Sequence, residues 1–314
     1  VMQGRAQKVV EKYCELAGIK ENQLKHVVTP NIDDHAILPQ EFEEEGQLEE
    51  IAARVVLTAL YLARYNRSDI LWSVNALARE VTRWSKACDR RLHRLISYLH
   101  HHIDFRQIAY VGDPADKIRL ALFVDASFSG DLQDSKSTGG AFLYLIGPNT
   151  FVPIMWMCKK QGQISHSSTE SEIISLDAAL RMEGIPALSF WDEVIELFCP
   201  EASRCSVVQE ASPDCSTVLG VLSSVDWVPP ALPPVKGYAK LEILEDNDAV
   251  IKMVVKARAP TLKHVSRTHR IDLDWLFEHV SNDPSIFGRY IHTKLQLAGL
   301  LTKGNFTACL LYTS

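Results

Sequence analysis

Three acidic residues stand where a chain of this kind can do chemistry. Asp125 follows the apolar run Leu120–Val124, and Asp246 closes a second run at Leu241–Leu244. A carboxylate at the carboxyl end of a buried strand lies on the rim of a sheet, where sites form. Glu170 falls in the first turn of a helix opened by Ser167-Ser168-Thr169, and an acid there also suits the helix dipole. Brought together, three carboxylates repel one another and raise their own pKa values unless cations sit among them. Hard oxygen ligands fit Mg²⁺, at about 2.1 Å per ligand, with substrate phosphate completing the shell. Two such ions roughly 4 Å apart activate water and stabilise the leaving oxygen of a phosphodiester. The expected metal ligands, and expected catalytic residues, are therefore Asp125, Glu170 and Asp246, with Mn²⁺ as a substitute for Mg²⁺.

The elements that must position these acids follow from periodicity. Lys117 to Val124 reads as a strand, Ser137-Thr138-Gly139-Gly140 as a turn, Ala141–Ile146 and Val152–Cys158 as two more strands. These three strands form an antiparallel meander. A helix follows from Ser167, with Ile173, Leu176, Ala179 and Leu180 on its apolar face, and Gly184-Ile185-Pro186 is expected to end it. A further helix covers about 187–198. Residues 200–237, rich in proline and serine, read as an irregular insertion. Then come a strand at Leu241–Leu244, helices at Asp248–Lys256 and Thr268–Val280, a strand at Ile286–Ile291, a last helix at Leu295–Thr302, and a tail over 305–314.

The first hundred residues have a different pattern. Helical spacing runs over 1–20, through Ile51, Val55, Ala59 and Leu62, through Leu71, Val74, Leu77 and Val81, and most clearly through Cys88, Leu92, Leu95, Ile96 and Leu99. Between the first two lies a linker or long loop over 26–46. On the fourth helix Arg90 and Arg94 run down another face, a stripe that can track a nucleic-acid backbone. This helical part is expected to pack as a unit separate from the sheet.

With 314 residues, 46% hydrophobic and 23% charged, the chain has the length of about two domains and the balance of a globular protein. That excludes a disordered acidic tail or a collagen-like repeat. The net charge of −6 hides alternation: residues 1–50 carry −6, 51–110 carry +6, 111–250 carry −11 and 251–304 carry +5. Basic blocks flanking an acidic middle suit a phosphate-bearing partner around a cation site. No run of 18 apolar residues exists, so no membrane span is expected, and the first residues make no secretory signal. Seven cysteines without a C-x-x-C pair read as reduced thiols of an intracellular protein.

Longer motifs add a resemblance. Val124-Asp125-Ala126-Ser127-Phe128-Ser129-Gly130-Asp131 with Asp134-Ser135-Lys136-Ser137-Thr138-Gly139-Gly140, then Trp156 with Lys159-Lys160-Gln161, resemble the ribonuclease H domain of copia-type retrotransposon polyproteins. So do Ser165-His166-Ser167-Ser168-Thr169-Glu170-Ser171-Glu172, Glu245-Asp246-Asn247-Asp248-Ala249, Ser266-Arg267-Thr268-His269-Arg270-Ile271-Asp272, and Gln296-Leu297-Ala298 with Leu301-Thr302-Lys303. Upstream, Ala59–Arg64 and Arg67–Leu71 with Val74-Asn75 resemble the end of the reverse transcriptase of the same polyproteins.

The resemblance implies an α/β fold: a ribonuclease H-like mixed five-stranded sheet flanked by helices, preceded by a helical, thumb-like reverse-transcriptase segment. It divides the chain into 1–105, the end of the polymerase, and 106–304, the ribonuclease H-like domain. It implies two Mg²⁺ ions and cleavage of the RNA strand of RNA–DNA hybrids during reverse transcription. The partners would be the hybrid and the rest of the Pol polyprotein, in a cytoplasmic virus-like particle or the nucleus. Asp125, Glu170 and Asp246 match the first three acids of that active site. The fourth is the Asp of an Ala-Asp pair that here reads Ala298-Gly299. Leu295 and His292 depart from the family pattern as well. The alternative is therefore a degenerate fragment that binds nucleic acid with weak or no catalysis. Polymerisation is not expected of 1–105, because the Tyr-x-Asp-Asp motif would lie upstream. Arg90 and Arg94 would contact the backbone of the nucleic acid. Arg267, His269 and Arg270 would either steer phosphate or cap a helix.

Overall fold

The structure, a computed structural model, describes residues 4–130, 134–200 and 238–304. The expected insertion, beyond Pro200, and the tail over 305–314 lie outside the described residues.

Five helices fill the first hundred residues: α1 Arg5–Ala17, α2 Pro39–Glu43, α3 Glu49–Tyr65, α4 Leu71–Arg79 and α5 Lys86–His101. Each long one buries the stripe its spacing dictates. In α1, Ala6, Val9, Val10 and Tyr13 face inward, and Gly18 takes the left-handed conformation (φ 65°) that closes the helix. In α5, Cys88, Leu92, Leu95, Ile96 and Leu99 are buried, as the sequence predicts.

The sheet comprises β1 Arg119–Ser127, β2 Thr138–Gly147, β3 Thr150–Lys160, β4 Leu241–Glu245 and β5 Ile286–Tyr290. Its order is β3-β2-β1-β4-β5. β1–β2 and β2–β3 pair antiparallel, β1–β4 and β4–β5 parallel. Among the described residues, the helices after β1 are α6 Ser168–Ala179, α7 Ile185–Phe198, α8 Asp248–Val255, α9 Val265–Thr268, α10 Leu273–Asn282 and α11 Gly299–Thr302. This is a mixed five-stranded sheet flanked by helices, of the α/β class.

Both faces of the sheet are covered. Strand residues alternate between faces. Leu120, Leu122, Val124, Leu143 and Ile243 pack with α6, α7, α8 and α10. Ala121, Phe123, Phe142, Tyr144 and Leu244 share one core with α1, α3, α4, α5 and the α11 residues Leu300 and Leu301. The expectation of a separate helical unit is thus corrected. A continuous apolar strand run needs apolar cover on two sides, and the helical part supplies the second. Hydrogen bonds also cross this contact, among them Trp156 Nε1 to the Ala63 carbonyl at 2.8 Å and Asn75 Nδ2 to the Cys158 carbonyl at 3.0 Å.

Four local expectations change. Gly184-Ile185-Pro186 does not stop the chain; a π turn over Leu180–Gly184 joins α6 to α7. The wider turn accommodates Pro186, which lacks an N–H and would clash with a carbonyl four residues back. The helix expected over 268–280 is two pieces, α9 and α10. Arg270 between them is left-handed (φ 56°), and Asp272 caps α10 through the backbone N–H groups of Asp274 and Trp275. The last helix shortens to α11, after a 3₁₀ turn at Thr293–Leu295. Gly139 and Gly140 form the start of β2 and not a turn. The four cysteines among the described residues are free thiols.

Candidate metal centre

Parallel pairing of β1 with β4 puts their carboxyl ends side by side. The last paired residues are Phe123 and Leu244, so Asp125 and Asp246 lie just beyond the end of that ladder. Gln296, buried, holds the two ends together. Its Nε2 donates to the Val124 carbonyl at 2.8 Å and the Leu244 carbonyl at 3.1 Å.

The third acid comes from α6, and its identity differs from the sequence expectation. Successive helical residues are about 100° apart, so Glu170 and Glu172 project to nearly opposite sides. Glu172 shares its face with Ser175, whose hydroxyl donates to the Asp125 carbonyl at 2.9 Å. The structure therefore groups Asp125, Glu172 and Asp246, each offering a carboxylate oxygen within 4.8 Å of the others. Glu170 faces away. Its Oε2 accepts from the His166 backbone N–H at 3.0 Å and lies 3.3 Å from His264 Nε2. Its Oε1 lies 3.2 Å from the buried His269 Nε2. The group that could hold a metal ion thus contains Glu172 in place of the expected Glu170. A helical stripe of Glu172, Ser175, Leu176 and Ala179 was the signal available in the sequence.

Two glycines let helices approach from both faces. A Cβ at Gly139 would come 2.7 Å from Ser175 Oγ of α6, and one at Gly140 would come 2.7 Å from Thr302 Cγ2 of α11. Consecutive strand residues point to opposite faces, so the pair admits α6 on one side and α11 on the other.

The electrostatics would suit a cation. Asp125 and Glu172 are buried, with Glu245 buried beside them. Burial pushes the Glu172 carboxyl well above the usual range, and Glu245, Asp125 and Asp246 push it further. Glu245 is raised by burial first, and Asp125 by burial first, with Lys303 and Thr302 pulling Asp125 back. Glu172 Oε2 and Glu245 Oε2 have no hydrogen-bond partner. Buried carboxylate oxygens left without donors fit a hard cation, so the residues present can hold a metal ion. On the far side, Thr302 Oγ1 donates to Asp125 Oδ2, and Lys303 Nζ lies 3.9 Å from the same atom. A Cβ at Gly299 would sit 3.7 Å from it. A cavity of about 640 Å³ opens beside Thr302 and Lys303, between the sheet and residues Trp72 and Arg79 of α4.

The basic residues singled out in the sequence do not gather here. Arg90 pairs with Glu41, and Arg94 donates to the Thr29 carbonyl at 3.1 Å and to Thr29 Oγ1 at 2.8 Å. The 26–46 segment, including α2, lies against that face of α5, with Arg90 still exposed and Arg94 half-buried. His269 is turned inward to Glu170, while Arg267 and Arg270 are exposed.

Over 127 residues the chain is 30% identical to the Retrovirus-related Pol polyprotein from transposon RE1 of Arabidopsis thaliana. The matched stretch is 39% of this chain and 8% of that polyprotein. The chain matches no protein-family model and no solved structure.

Proposed function

From the premise that the chain is a relative of the copia-type retrotransposon Pol polyproteins, we propose that it acts as a ribonuclease H-like nuclease. Its substrate would be the RNA strand of an RNA–DNA hybrid, with residues 106–304 as the nuclease and 1–105 as the end of the polymerase. The observation that carries the reading is the grouping of Asp125, Glu172 and Asp246 at the carboxyl ends of two adjacent parallel strands. The sheet order and the mixed pairing support it.

Asp125, Glu172 and Asp246 would hold Mg²⁺, which supplies charge to acidify water and to neutralise a phosphodiester as it is attacked. The chain's own residues set the stage for that. Gln296 fixes the spacing of the two strand ends, Ser175 ties α6 to β1, and Glu245 adds negative charge behind the cluster. Selection of RNA over DNA would come from contacts to the 2′-OH. The rest of the Pol polyprotein would be the partner, in a cytoplasmic particle or the nucleus. No helix among the described residues is long and apolar enough to cross a membrane.

A second reading is favoured by Gly299, which puts no carboxylate where its Cβ would face Asp125. On that reading the chain binds hybrid and cuts it slowly or not at all. A hybrid-cleavage assay with Mg²⁺ separates the two. Cleavage that is lost in Asp125→Asn supports the nuclease; hybrid binding without Mg²⁺-dependent cleavage supports the second reading.

A further inference from the structure

Three residues at the end of the described chain converge on one atom. Thr302 donates to Asp125 Oδ2, Lys303 Nζ lies 3.9 Å from it, and the missing side chain of Gly299 would point at it. Among the described residues, Lys303 is the cation that reaches the acidic cluster, and its charge is felt by Glu172 as well as Asp125. The opposite side of the cluster is different: Glu172 Oε2 is buried and has no donor at all. Asp125 Oδ2 is thus served by a hydroxyl and an ammonium, while an oxygen of Glu172, and one of Glu245 behind it, are unserved.

We propose that Lys303 is the resident cation of this centre, so that the protein binds one divalent ion, on the Glu172–Asp246 side, in competition with the Lys303 ammonium for Asp125. The inference rests on the reading of the cluster as a metal centre. The chemistry is charge balance. A fourth carboxylate near Asp125 would draw a second divalent ion; an ammonium there supplies one positive charge without one. Lys303 is half-exposed, so it can withdraw into the adjoining cavity toward a phosphate when an ion engages Asp125.

The test is Mn²⁺ binding to the full chain, by calorimetry and by paramagnetic resonance, with thermal melting in chelator as a second measurement. The parent should bind one Mn²⁺. Lys303→Met should bind it about three- to tenfold more tightly, because a positive charge some 4 Å away, partly screened by water, is removed. Lys303→Arg should resemble the parent. In chelator, Lys303→Met should lower the melting temperature, and this loss should disappear in the Asp125→Asn background. Two bound ions in the parent, or unchanged affinity in Lys303→Met, would overturn the inference and leave the metal centre standing. No Mn²⁺ binding by either protein would overturn the metal centre and the inference with it.

Discussion

At the scale of single residues, two acids two positions apart have opposite fates. Glu172 turns to the cluster, and Glu170 is bracketed by His264 and His269. Glu172→Gln should abolish Mg²⁺-dependent cleavage and weaken Mn²⁺ binding by at least tenfold. Glu170→Gln should keep Mn²⁺ binding near the parent value while lowering the melting temperature, since it removes the charge facing two imidazoles. The reverse pattern in a calorimetric titration would restore Glu170 as the ligand. The acid pattern along the chain was legible because strand-end carboxylates follow apolar runs. The helical acid was misread because dipole placement favours the first turn and says nothing of which way a side chain faces. The site also makes a pH prediction. Glu172, Glu245 and Asp125 titrate higher in the fold than in the unfolded chain. The native state therefore binds more protons, and the stability they confer is complete below the ordinary carboxylate pKa. It is lost as pH rises through the raised values. Melting in chelator should fall with rising pH over that window. Mg²⁺ should reverse the fall, returning about 2.7 kcal/mol at a hundredfold excess over its dissociation constant.

At the scale of elements, the strands were legible from their apolar runs, and four of the long helices from their stripes. What periodicity could not give was close packing. Gly139-Gly140 has the composition of a turn, yet it is strand, because α6 and α11 need the space on either side of it. Nor could it give the π turn, since Gly and Pro together read as a stop when only the local chain is considered. The glycine pair makes a testable point about the site. In Gly139→Ala the new methyl meets Ser175 Oγ, and strain of about 1–3 kcal/mol is expected, enough to push α6 outward. Because α6 carries Glu172, Mn²⁺ affinity should fall together with the melting temperature. Adding Ser175→Ala should recover part of both, as it clears the Oγ the methyl meets, though not all, since the hydrogen bond to the Asp125 carbonyl goes with it. Recovery of stability without recovery of metal affinity would mean that α6 does not set the position of Glu172.

At the scale of the whole molecule, the two halves of the chain are joined by a core and not only by a connection. A polar, Gly- and Pro-containing stretch near residue 112 looks like a domain boundary to any reading along the chain. What such a reading misses is the arithmetic of faces. The run Leu120–Val124 presents Leu120, Leu122 and Val124 to one side and Ala121 and Phe123 to the other, and α6, α7, α8 and α10 cover only the first. The second face, with Phe142 and Tyr144, is closed by α3, α4 and α5 together with α11. α11 is also the element that brings Gly299 and Thr302, with Lys303 next in the chain, to Asp125. The helical half therefore supports the acidic cluster through α11, without contributing a carboxylate to it. A fragment limited to residues 106–304 would expose that apolar face and leave α11, four residues long, packed on one side only. It should bind a hydrophobic dye, melt without a sharp transition, and lose Mn²⁺ affinity even though Asp125, Glu172 and Asp246 are all present. Adding residues 1–105 as a separate chain should restore a cooperative transition if the core alone joins the halves. A fragment that melts cooperatively and binds Mn²⁺ like the full chain would show that the sheet domain stands by itself and that the helices merely rest upon it.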